Sequence, residues 1–89
     1  MPRSPRVSPG EVRKAVRDVL ALQEGEPLAE APMLVKVNRL VGGGVDLTAL
    51  RDALEWNHGE AFIRSEFVEE ADLDGWVITK EGINHDRIK

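Results

Sequence analysis

Ala61-Phe62-Ile63-Arg64-Ser65-Glu66-Phe67-Val68-Glu69-Glu70-Ala71-Asp72-Leu73-Asp74-Gly75-Trp76-Val77-Ile78-Thr79 is where the pattern of this chain changes. Residues 61–68 are rich in strand formers and partly alternate. Glu69 to Gly75 is polar and closes on Asp74-Gly75, a common hairpin signal. Trp76 to Thr79 then reads as the return strand. The amphipathic segments before residue 59 read as helices, so this stretch decides between a helical bundle and a mixed fold.

Working back towards the N-terminus, three helices are expected. Ser8-Pro9-Gly10-Glu11 is a helix start: Ser8 caps, Pro9 takes the first helical position and Glu11 the reciprocal capping-box position. Val12, Ala15, Val16, Val19 and Leu20 follow at helical spacing, and Gly25 offers a left-handed stop, which predicts a first helix over about 9–24. Met33, Leu34, Val37, Leu40 and Val41 predict a second, starting near Pro32 and stopped by Gly42-Gly43-Gly44. Asp46 caps a third, with Leu47, Leu50, Ala53 and Leu54 inward, Thr48, Arg51, Asp52 and Glu55 outward, and Gly59 at its end. Residues 83–89 are polar apart from Ile83 and Ile88 and are expected to fray. The predicted core is Val12, Val16, Val19, Leu20, Leu34, Val37, Leu40, Leu47, Leu50, Leu54, Ile63, Trp76 and Ile78, with Trp56 at the core or its rim.

The fold class is therefore α+β, three helices followed by a two-stranded hairpin. This order resembles the winged helix-turn-helix family over about residues 9–82. Helix one would be the scaffold and Pro27-Leu28 the short first strand. Helices two and three would form the helix-turn-helix, and Phe62 to Thr79 the wing. Ile78-Thr79-Lys80-Glu81-Gly82 is similar to the "leucine-threonine, two polar residues, glycine" ending of many such wings. The link Gly42-Gly43-Gly44-Val45 is richer in glycine than the usual turn. The resemblance implies DNA binding in transcriptional control, with helix three in the major groove and the wing on the backbone.

Charge argues the other way. The chain has 89 residues and a formal charge of −4. Residues 1–17 carry +4 and residues 18–89 carry −8. Between Glu55 and Gly75 one basic residue, Arg64, faces seven acids. Phosphate contacts supply essentially all non-specific DNA affinity, and an acidic wing repels phosphate. The expected function is thus a non-catalytic interaction module with a protein partner. The surface expected to bind it is Thr48, Arg51, Asp52 and Glu55 with the wing acids Glu69 and Glu70. In the DNA alternative, Arg3, Arg6, Arg13, Lys14, Arg17 and Arg51 would supply the positive contacts, and a homodimer could gather more of them. The bland reading of the basic residues is a solvated tail and the polar face of helix one.

Other chemistries are poorly supported. There is no cysteine, which removes disulfides, thiolate metal sites and thiol nucleophiles. Glycines 42–44 are not followed by the Lys-Ser/Thr pair of a phosphate loop. His58 and His85 have no partner at metal-ligand spacing, and no serine sits in a nucleophile elbow. Residues 70–81 match the spacing of an EF-hand calcium loop, with Glu70, Asp72, Asp74 and Glu81 as ligands and Gly75 at the turn. Glu70 stands where aspartate is usual, and residues 60–69 lack a helical pattern, so an acidic hairpin turn is the plainer reading. No cofactor is expected. No apolar run approaches the length of a membrane span and residues 1–9 lack an apolar leader core, giving the expectation of a cytoplasmic protein with a disordered basic arm over 1–8.

Overall fold

A computed structural model of the protein describes residues 7–87. Helix α1 spans Pro9–Ala21, α2 Glu30–Val41 and α3 Leu47–Gly59. Strands β1 (Ile63–Val68) and β2 (Leu73–Ile78) form an antiparallel hairpin, and a fourth helix, α4, spans Lys80–Arg87. This is a winged-helix-like α+β fold with one helix added behind the wing.

Local chemistry sets the helix ends. The Glu11 amide donates to Ser8 Oγ and the Ser8 amide donates to Glu11 Oε1, so the capping box closes in both directions. The hydrogen bond from the Ser8 amide also holds the Glu11 carboxyl below the usual carboxylate range. Helix α1 ends at Ala21, three residues short of the expected stop, and Leu22 to Glu26 form turns. Helix α2 begins at Glu30, so Pro32 lies inside its first turn, where a missing amide costs no helical hydrogen bond. It ends on Gly42 at φ 90°. Across the glycine link, Asn38 Nδ2 donates to the carbonyls of Leu34 and Val45 while its Oδ1 accepts from the Val45 amide. One side chain thereby fixes the turn between α2 and α3. Asp46 caps α3 by accepting from the Ala49 amide at 2.8 Å.

The hairpin differs from its sequence reading. The reversal falls at residues 69–72, with Asp72 at φ 55°, and the register pairs Ile63 with Ile78 through Val68 with Leu73. Asp74-Gly75 therefore lies inside β2 and not in the turn. Gly75 is buried, and a Cβ there would meet Val68 Cγ2 at 2.9 Å and the Leu28 backbone at 3.2 Å. The glycine admits the segment that links α1 to α2: Leu28 and Trp76 exchange both backbone hydrogen bonds at 2.9 Å. This bridge stands where the family resemblance places its short first strand.

The core gathers Val16, Leu20, Met33, Val37, Leu50 and Ile63, all fully buried. Three helices and the base of the hairpin each bury one face there. Two expected core residues are outside it: Leu40 is 52% and Leu47 38% exposed. Leu34 and Trp76 are partly buried at the edge of the core. In α2 the inward phase runs through Met33 and Val37; Leu40 continues that face into the last turn of the helix, where it borders an open groove beside Val19 and Leu22 and is not covered.

The tail expected to fray is helical through Arg87. The Thr79 amide donates to the Phe62 carbonyl, its hydroxyl donates to the Ala61 carbonyl at 2.6 Å, and the same Oγ1 accepts from the Gly82 amide. Thr79 thus ends the wing and starts α4. Gly82 is buried against Phe62, and a Cβ there would fall on the Phe62 carbonyl. The threonine and glycine of the wing ending therefore have separate jobs, one as a cap and one as a contact surface. His85 stacks on Phe62 at 4.4 Å between ring centroids, and Ile83 packs against the core.

Candidate functional site

Helix α3 presents Thr48, Arg51, Asp52 and Glu55, all exposed, at the spacing of one helical face. The basic residue among them is engaged. Arg51 Nε donates to Glu30 Oε2 at 2.9 Å and Nη2 to Oε1 at 3.0 Å, a two-pronged pair that ties α3 to the start of α2. The hydrogen bonds from Arg51 hold the Glu30 carboxyl below the usual carboxylate range. A shallow cleft lined by Glu30, Arg51, Leu54, Glu55, His58 and Trp76 runs from this face to the base of the wing. His58 meets Trp76 edge-on at 5.4 Å, which closes the inner end of the cleft.

The wing carries the remaining acids. Glu69 and Glu70 lie in the exposed turn with Asp72, and Asp74 is exposed on β2. By the rise of an extended strand Asp74 stands about 7 Å, and the turn more than about 10 Å, further along the hairpin than Trp76. The expected partner-binding residues therefore form two groups, one on α3 and one at the wing tip, and the cleft beside α3 reaches only the base of the wing. The wing's basic residue, Arg64, is paired with Glu66 at 2.8 Å. Phe67 and Leu73 flank the turn, 54% and 43% exposed, and their places in the ladder put them on opposite faces of the hairpin. Neither is among the residues expected from the sequence to meet a partner. The signal was available in their position beside a turn, beyond the reach of the helical core.

The basic residues of the DNA alternative are dispersed. Arg3 and Arg6 lie outside the described residues. Lys14 pairs with Asp18 at 2.8 Å one turn along α1. The Arg13 guanidinium lies 4.6 Å above the Trp56 ring and is half-buried. Arg17 is not a surface residue at all: it is 6% exposed. Its Nε and Nη2 donate to the two oxygens of Asp86 at 2.9 and 3.1 Å, and its Nη1 donates to Asn57 Oδ1 at 3.0 Å. Asn57 in turn donates to the carbonyls of Arg13 and Ala53. Among the described residues, no buried side-chain nitrogen or oxygen is left without a partner. Arg17 is thus a structural centre that joins α1, α3 and α4.

The EF-hand spacing does not become an EF-hand site. Residues 73–78 are extended, so Glu81 on α4 lies a full strand away from Glu70 and Asp72. Among the described residues no three His, Cys, Asp or Glu side chains gather as a metal cluster. No helix among them is long and apolar enough to cross a membrane.

Helix-turn-helix, wing and exposed third helix together define a small winged-helix-like module. The chain is similar in structure to SSV1 F-93, known from a crystal structure, with TM-score 0.62 over 99% of this chain and 100% of that one. The two share 17% sequence identity, so the likeness is one of fold. No protein-family model and no curated protein sequence matches the chain.

Proposed function

We propose that this protein is a non-catalytic winged-helix-like module that binds a basic protein partner through α3 and the wing. One observation carries the reading: both arginines of this surface, Arg51 and Arg64, are neutralised by carboxylates of the same chain. The charge left facing solvent comes from Asp52, Glu55, Glu69, Glu70, Asp72 and Asp74. Such a field speeds encounter with a positive partner and repels a phosphate backbone. Exposed Phe67 and Leu73 offer an apolar residue on each face of the wing tip, one of which can anchor a partner.

The test is a pair of titrations at low salt, followed by amide NMR. One uses a lysine-rich amphipathic peptide, the other generic duplex DNA. The reading expects saturable shifts over 47–59 and 66–74 with the peptide, and DNA-induced shifts no further along the chain than residue 17. Saturable DNA shifts across α3 and the wing would instead establish nucleic-acid binding by this face, and the protein-partner reading would be withdrawn.

A further inference from the structure

A second surface lies away from α3 and the wing. The end of α1 with the turn after it and the C-terminal half of α2 flank an open groove of about 420 Å³, with Val19, Leu22 and Gln23 on one wall and Lys36, Arg39 and Leu40 on the other. Its apolar residues are unusually uncovered: Leu22 is 88% and Leu40 52% exposed. Among the described residues neither Lys36 nor Arg39 pairs with a carboxylate. The groove therefore has an apolar residue on each wall and two uncompensated positive charges, so it fits a thin, acidic, apolar-faced insert.

The chain itself contains one such insert. The wing tip is a two-stranded blade with Phe67 exposed on one face, Leu73 on the other, and Glu69, Glu70 and Asp72 at its end. An apolar residue on each face matches an apolar residue on each wall, and the acidic turn matches Lys36 and Arg39. The N-terminal residues, with Arg3 and Arg6, have the wrong charge for this groove. A wing cannot reach the groove of its own molecule, because the hairpin ladder and the Leu28–Trp76 bridge hold it elsewhere and none of its residues lines the groove.

We infer that the wing tip of one molecule seats in the α1–α2 groove of a second copy. The contact joins two different patches. It therefore propagates head to tail unless its rotation closes a ring. The patches are small, which places the association among weak, transient interfaces, sensitive to salt. The contact uses the wing acids of the partner surface proposed above but does not rest on that reading, since the groove belongs to α1 and α2.

Sedimentation velocity on the full chain at low salt, up to about 1 mM protein, tests it. The mean mass should rise with concentration above the 9.9 kDa monomer and fall back in high salt. Two exposed charge reversals then separate the patches: Lys36→Glu with Arg39→Glu in the groove, and Glu69→Lys with Glu70→Lys in the wing. Each double variant alone should associate at least about tenfold more weakly, because its wing and groove now carry like charge. Mixing the two should restore association, since every wing then meets a groove of opposite sign. Circular dichroism checks that both variants remain folded. A wild-type chain that stays monomeric throughout, variants that associate as well as wild type, or a mixture that fails to recover would each overturn the inference. The groove variant should still bind the lysine-rich peptide, so failure here and failure of the proposed function are told apart.

Discussion

Arg17 and Arg51 grip their carboxylates with the same fork, Nε to one oxygen and Nη2 to the other, at 2.9–3.1 Å. Their surroundings differ. The Arg17 side chain is 7% exposed and Asp86 23%, whereas Arg51 is 61% exposed and Glu30 34%. Water and salt compete with the second pair and hardly reach the first. The interior pair therefore helps to hold the fold, while the surface pair mainly sets the charge that this face shows to solvent. Identical geometry performs two tasks, and burial decides which.

The sharpest way to break this contrast is Arg17→Ala. It leaves Asp86 and the Asn57 amide oxygen without their donor, and should cost about 3 kcal/mol or more in a denaturant titration. A loss below about 0.5 kcal/mol would show that the interior pair behaves like a surface one. Gly82→Ala probes the same region without touching a charge. The added methyl falls on the Phe62 carbonyl, and overpacking of this kind costs about 1–3 kcal/mol. Hydrogen exchange over 80–87 should report it first, as lost protection of α4.

Acid sharpens the comparison. The hydrogen bonds from Arg17 hold the Asp86 carboxyl below its usual range. A carboxyl depressed in the folded state contributes stability that is present above its unfolded pKa and lost as pH falls through the folded value. Thermal melts should therefore fall off more steeply below about pH 4 in wild type than in Asp86→Asn, which has no carboxylate there to protonate. The smallest effect is expected from Arg51→Ala. Its melting temperature should match wild type, while binding of the lysine-rich peptide should strengthen because Glu30 is released to face the partner. A clear loss of stability in this variant would overturn the assignment of Arg51 to the surface.

What was legible in the sequence follows from how far each interaction reaches along the chain. Ser8, Pro9 and Glu11 satisfy one another within four residues, and Asp46 caps the amide of Ala49, so the helix starts could be read directly. Asp74-Gly75 illustrates local ambiguity. A glycine after aspartate favours a turn, but here it serves the close passage of Leu28, whose approach no local pattern announces. The same limit hid α4. Its own sequence offers little apolar surface, and its order comes from Thr79 capping on Ala61 and Phe62, from the His85–Phe62 stack, and from Arg17. For the candidate site, the outward face of α3 was readable from helical phase. The neutralisation of Arg51 by Glu30 was not, because it depends on how α2 and α3 cross.

The Arg17–Asp86 contact spans 69 positions of sequence. A chain emerging from the ribosome completes α1, α2 and α3 while this arginine still lacks its counter-charge. Until residue 86 has been made, the nascent protein must leave that part of its interior open to water. The last turn of α4 thus acts as a latch on α1, and a product interrupted before residue 86 would betray itself by a hydrated arginine where the folded domain is dry.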